Sequence, residues 1–378
     1  MRFTANTWVI FLIFFQIPTL AQTSSDARAE LSKLIDNKFE VLDTSPQPGC
    51  AVGVIHKGTY AHSAGYGLAN LEHGLPITKH TVFRTGSISK QFTAASIAIL
   101  ALEGELDLDS DVHNYLPDLA EYDHEVTVRQ IVHHLAGMGD YDHKVFKNEH
   151  GAQFRFGNQD FWTIEEFLER VRKADLVDVP ESKWRYSNLG YFLLGQIVER
   201  VSGKTLREFA DERIFSPLSM SSSFYNDNVN QLVTNRAGGY KLLDDGSFEI
   251  FMTNLNWIGD GGVYTNLRDF IRWDQNFYEN KLGPKALDLI TLITTPHPKA
   301  TVGVRNQEIQ YAFGLFLGSQ NSERYVGHSG HWVGFSSFYR RFPRLALSVA
   351  IFCNGSNVDA VEVGEEVAQI GLDLFTHD

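Results

Sequence analysis

Cysteine is scarce in this chain: Cys50 and Cys353 are the only two among 378 residues. Two thiols exclude a disulfide-built scaffold and a four-thiolate metal site. They leave either one bridge or two buried thiols, and each stands at the end of an apolar, strand-like run. Positive charge is also short. The 33 Lys and Arg face 46 Asp and Glu, a net charge of −13, which speaks against a nucleic-acid partner. Past the N-terminal segment, no apolar run is long enough to cross a bilayer. There is no H-E-x-x-H. His124, His133, His134 and His143 lie near one another in sequence but match no zinc spacing, so no metal is expected. Gly259-Asp260-Gly261-Gly262 is not followed by Lys-Ser or Lys-Thr, which excludes a P-loop and leaves a tight turn. Internal repeats and low-complexity segments are absent too, and nothing calls for a cofactor.

What is present begins with a targeting pattern. Arg2 is the only charge before Asp26, an apolar stretch runs from Trp8 to Phe15, and Thr19-Leu20-Ala21 offers small residues for cleavage. Residues 1–21 therefore read as a signal peptide, and the protein is expected to be exported, periplasmic or secreted. Gln16 and Pro18 interrupt the apolar part, which is too short for an uncleaved anchor to be preferred. Cleavage would remove Arg2 and leave a charge of −14, one below the −13 of the whole chain. The sequon Asn354-Gly355-Ser356 has meaning only in a glycosylating host.

Residues 22–378 read as one catalytic domain of the α+β class. Residues 50–67 are small and β-branched around a Gly58 turn, a hairpin. Ser87 to Leu102 lacks Pro and Gly and is rich in Ala, Ile and Leu, a buried helix closed by Gly104. The region 127–215 is expected to be helical, with capping-box spacings at Thr163/Glu166 and Thr205/Glu208 and an apolar run from Gly190 to Val201. Strands are expected at Tyr311–Gly318, Arg324–His328, Val333–Arg341 and Leu345–Cys353, then an amphipathic helix at Val358–Phe375. Strands at both ends with helices between imply one mainly antiparallel sheet built from both termini, with flanking helices, beside an all-helical lobe. The sheet lobe would take about 30–90 and 230–378, the helical lobe about 91–229.

Three short segments carry chemistry. Ser87-Ile88-Ser89-Lys90 sets a hydroxyl and an amine one helical turn apart. A serine hydroxyl needs a neighbouring base, and a lysine among apolar side chains loses its charge readily enough to be one. A helix start adds backbone N–H groups that favour a developing oxyanion. On its own such a spacing is also what a Ser N-cap with a snorkelling Lys would give. Tyr186-Ser187-Asn188 precedes the apolar helix. A tyrosine near an ammonium can ionise or relay a proton, and the Asn188 amide can donate to a substrate carbonyl. His328-Ser329-Gly330 ends a strand before His331. There Gly330 allows close approach, the following N–H can complete an oxyanion hole, and His328 offers a titratable donor near the leaving group.

In this order the three segments resemble the S-x-x-K, Y-x-N and K-[TS]-G triplet of the class C beta-lactamases and their relatives among DD-carboxypeptidases, D-aminopeptidases and esterases. The resemblance extends through Gly65-Tyr66-Gly67, Phe83-Arg84-Thr85-Gly86, Pro217-Leu218-Ser219-Met220 and Gly261-Gly262-Val263-Tyr264-Thr265, covering most of residues 30–375. It implies a beta-lactamase/transpeptidase-like fold with the site in the cleft between the lobes. It further implies acylation of Ser87, proton handling by Lys90 and Tyr186, an oxyanion hole from the Ser87 and His331 N–H groups, and no metal. Two departures stand out. His328 replaces the usual Lys, which removes a fixed cation for a substrate carboxylate, although some carboxypeptidases of the family also look to use His here. Val132-His133-His134-Leu135-Ala136-Gly137-Met138 resembles the H-T-S-G-L stretch with Leu-Ala in place of Thr-Ser.

The expectation is thus a serine hydrolase acting on a small-molecule or peptide substrate, an ester or a D-amino-acid amide. DD-carboxypeptidase or beta-lactamase activity, and a non-catalytic binding module with the same fold, are the alternatives. If His328 must be protonated to hold a carboxylate, activity on such substrates should fall as pH rises through its pKa. Tyr141, Phe146, Phe154, Phe156, Phe161 and Trp162 would either line a pocket or, as preferred, pack the helical lobe.

Overall fold

The small, β-branched run Cys50–His56 is buried along its whole length, as a strand with both faces covered must be. It lies at the join of an eight-stranded antiparallel sheet in the computed structural model, which describes residues 20–147, 150–304 and 307–376. The strand order is Thr301–Val304, Gln307–Tyr311, Phe316–Gln320, Glu323–Trp332, Phe335–Phe342, Leu347–Cys353, Cys50–His56, Thr59–Tyr66. The first hairpin of the chain therefore completes a sheet made by its last third, as expected. At the join Cys50 pairs with Cys353, Cα to Cα 4.1 Å, and the two form a disulfide.

Helices Leu20–Phe39 and Ala360–Phe375 cover one face, packing Leu31, Ile35, Phe39, Val367 and Leu372 against Val52, Val54, Val349 and Ile351. The other face carries the larger core, in which Phe92 meets Phe215 at 5.1 Å and Trp273 at 4.7 Å between ring centroids. Helix Lys90–Glu103 runs through this core, and every residue from Lys90 to Leu100 is buried.

Several expectations are corrected. Ser87 lies in a 3-10 turn, Gly86–Ser89, and the α-helix starts at Lys90. The region 127–215 is only partly helical: long loops separate Val128–Val132, Ile164–Val171 and Asn188–Ser202, while Leu206–Ala210 follows closely and runs on into a helical turn at Asp211–Phe215; both capping boxes form. Tyr311–Gly318 is two strands broken by a turn at 312–315. Helix Leu20–Phe39 was not anticipated; its apolar Leu31, Ile35 and Phe39 recur every fourth residue. The expected signal peptide lies, apart from its last two residues, outside the described residues. Among the described residues no helix is long and apolar enough to cross a membrane.

Candidate active site

The site forms where the Gly86–Ser89 turn meets the free edge of strand Glu323–Trp332. The neighbouring strand Phe316–Gln320 pairs only as far as Gly327, so residues 328–332 present an unpaired edge on that side. Contact there is backbone to backbone. A Cβ on Gly330 would lie 2.1 Å from Thr85 O and 2.8 Å from Ser87 N, and one on Gly86, at φ +52°, would lie 2.9 Å from His331 N. Only glycine fits at either position. Ser337 Oγ, donating to Thr85 O at 2.7 Å, ties the next strand to the same turn.

Lys90 is fully buried, and its Nζ donates to Ser87 Oγ (3.2 Å), Asn188 Oδ1 (2.6 Å) and Asp260 O (2.6 Å). Burial lowers its pKa from the ordinary lysine value to about 8, against the pull of the Asp260 and Asp140 carboxylates. A tenth or so of the amine is then neutral at pH 7. Nζ also sits 4.8 Å from the ring centroid of Tyr186. Burial raises the pKa of the Tyr186 hydroxyl well above that of a free phenol, opposed by the Ser87 side chain. It is a neutral hydroxyl at physiological pH, which of the two expected routes, ionisation or relay, fits the relay.

Asn188 caps this arrangement. It opens helix Asn188–Ser202, whose N-cap Ser187 accepts from Gly190 N and donates to Gly139 O at 2.7 Å. The Asn188 Nδ2 donates to Asp140 Oδ2 at 3.1 Å, which fixes its carbonyl toward Lys90. Burial raises the pKa of Asp140, opposed by the Tyr141 N–H and the Lys90 charge.

His328 differs from expectation. Nδ1 donates to Ser329 O at 2.5 Å, which leaves Nε2 as an acceptor 3.3 Å from Tyr311 Oη. Burial, reinforced by the Lys90 charge, depresses its pKa to about 3. His328 is therefore neutral at physiological pH, which does not fit the expected titratable donor or pH-gated carboxylate anchor. Its ring faces Tyr186 at 6.2 Å.

The structure thus brings together Ser87, Lys90, Tyr186, Asn188, His328 and the Gly330–His331 backbone. Two side chains stand apart. Ser329 pairs with Phe338, whose ring packs at Gly364 of the C-terminal helix. The His331 imidazole is exposed, 3.5 Å from Asp359, so only its backbone lies at the Gly86–Ser89 turn. Sequence reasoning missed Asp140 and the catalytic side of Asp260. The latter, buried, accepts from Tyr141 Oη through Oδ2 at 2.5 Å while its carbonyl holds Lys90. Tyr141 stacks on Phe156 at 4.3 Å, and Phe154 on Trp162 at 3.7 Å, so most of the aromatic group packs as preferred; Phe161 is exposed. In the departed stretch, His134 accepts from Ser187 N at 3.1 Å, and Leu135 packs beside Tyr311. Among the described residues no group of side chains could hold a metal ion.

A half-buried Ser beside a buried Lys at the foot of a sheet edge, between an antiparallel sheet and a partly helical lobe, defines the penicillin-recognising class of serine hydrolase folds. Residues 35–372 match the Beta-lactamase family, and the chain belongs to that family. It is 28% identical to a penicillin-binding protein of Bacillus subtilis, across 82% of this chain and 69% of that protein. It is 27% identical to a D-aminopeptidase of Gluconobacter oxydans, across 82% of this chain but only 56% of that relative. The octameric penicillin-binding protein homologue from Pyrococcus abyssi superimposes with a TM-score of 0.76 at 25% identity, covering 91% of this chain and 77% of its own. A class C beta-lactamase from Rhodobacter sphaeroides shares the fold, with a TM-score of 0.69 at 19% identity over 93% and 99% of the two chains.

Proposed function

We propose that this chain is a serine hydrolase that forms an acyl-enzyme on Ser87 and cleaves an ester or a D-amino-acid amide or peptide. The observation that carries this reading is the buried Lys90 amine, 3.2 Å from Ser87 Oγ and with its pKa near 8. A binding module has no use for such a pair. Ser87 Oγ attacks the substrate carbonyl carbon as its proton passes to neutral Lys90. The carbonyl oxygen gathers negative charge between the N–H groups of Ser87 and His331. The bond to the leaving oxygen or nitrogen then breaks, and the Tyr186 hydroxyl relays a proton from Lys90 to it. Water, deprotonated by the same route, hydrolyses the ester on Ser87 and restores the hydroxyl.

Two observations bear on the substrate. The neutral His328 supplies no cation for a substrate carboxylate, which favours neutral esters and amides over beta-lactams. Similarity to a D-aminopeptidase supports the amide branch. The Cys50–Cys353 bridge supports export into an oxidising compartment, periplasmic or extracellular, with residues 22–378 as the mature catalytic unit.

The test is intact-mass spectrometry after exposure to a fluorophosphonate or a penicillin. A covalent adduct on wild type and none on Ser87→Ala is expected, with the fluorophosphonate reacting more readily; no adduct from either reagent would sink the acyl-enzyme reading.

A further inference from the structure

The sheet face that carries His328 bears a second cavity, of about 790 Å³, beneath helices Leu267–Glu279 and Ala286–Thr294. None of the residues placed in the candidate site lines it. Phe277, Ile290, Leu317 and Val326 give it apolar walls, and Arg341 lies at its base. Arg341 is buried, with its guanidinium carbon 4.1 Å from the Phe277 ring centroid and 4.6 Å from that of Tyr278. Its counter-ion, Asp274, is 3.7 Å from Nε, beyond hydrogen-bond length, and the same Oδ1 already accepts from Tyr339 Oη at 2.7 Å. Nε and Nη2 have no acceptor among the described residues and are closed to solvent, so a ligand meets them once the Phe277 and Tyr278 rings over the guanidinium shift; Tyr278 also interacts with Arg341 through its hydroxyl. Buried donors left unmet on a cation are costly, and an incoming anion would relieve the cost.

A second cation stands beside the first. Leu317 pairs with Val326 and Val326 with Arg341, so these three side chains share one face. Arg324, two residues before Val326, joins that face as a diagonal neighbour of Arg341, about 7–8 Å away. It is exposed, lines the cavity, and makes no ion pair among the described residues. At the rim Arg344 is already paired with Glu323, and Glu308 is the carboxylate of the lining.

We propose that this cavity binds a small carboxylate amphiphile, with its carboxylate between Arg341 and Arg324 and its alkyl body against Ile290, Leu317 and Val326. The planar guanidinium fork matches a carboxylate, and the walls match a hydrocarbon chain. The site is independent of the proposed hydrolysis. Calorimetric titration of the full chain with decanoate and with decan-1-ol tests it, on wild type and on Ser87→Ala. Decanoate should bind both equally. Arg324→Gln, a surface change that leaves folding intact, should weaken decanoate about tenfold or more and leave the alcohol unchanged. Ile290→Trp, which pushes a bulky ring into the apolar wall, should weaken both ligands. Failure of wild type to bind decanoate, loss of binding in Ser87→Ala, or undiminished decanoate binding in either cavity variant would overturn the proposal.

Discussion

The charge on one amine governs the chemistry proposed for this protein. Lys90 must be neutral to accept the Ser87 proton, and burial lowers its pKa to about 8 while Asp260 and Asp140 hold it up. Activity, as kcat/KM on a neutral ester, is therefore expected to rise with pH up to about 8 and then level. Replacing Asp140 by Asn removes a carboxylate that favours the ammonium, so the rising limb should move to lower pH. A limb that stays in place in Asp140→Asn would show that this carboxylate does not reach Lys90. Lys90→Met is expected to cost on the order of 10²–10⁴ in rate, measured under the same conditions. Ser87, Lys90 and Tyr186 were legible in the sequence because three short motifs stand in the order of the family they resemble. Asp140 and Asp260 were not: they reach Lys90 from loops far apart in the chain, and no periodicity registers such a meeting. The neutral state of His328 was equally hidden, because burial by Tyr311, Phe316 and Tyr186 is a tertiary fact.

Among the elements, the decisive meeting is of strand Glu323–Trp332 with the Gly86–Ser89 turn. Gly330 lets the two backbones touch, and Gly330→Ala would drive a methyl group to within 2.1 Å of Thr85 O. The turn or the strand must then shift by about an ångström, enough to spoil alignment with the oxyanion. Fluorophosphonate labelling of Ser87 in Gly330→Ala should slow by about a hundredfold, with a circular dichroism spectrum like that of wild type. The strands and the helix behind Ser87 were readable from apolar patterning, because both are buried and uninterrupted. The helical lobe was over-read, because capping boxes at Thr163 and Thr205 mark where helices start and say nothing of the loops between. The true helix start at Lys90 also escaped, since a 3-10 turn and an α-turn share most of their sequence preferences.

At the scale of the whole molecule, the disulfide joins residues 303 positions apart and closes the sheet between the first hairpin and the last strand. Cross-linking so long a loop restricts the unfolded chain strongly. Reduction, or Cys50→Ser with Cys353→Ser, should lower unfolding free energy by about 2–5 kcal/mol in urea titrations, where wild type without reductant is the reference. An unchanged midpoint would mean that the bridge adds nothing beyond the strand pairing around it.

That same closure has a consequence in time. The proposed nucleophile belongs to the early part of the chain, while the edge that would cradle its oxyanion comes near the end, beyond both helices that roof the sheet's far half. A chain still being made carries Ser87 but has no wall to set against it. The proposed reactivity would arrive only with the final strands, and an unfinished chain would be silent.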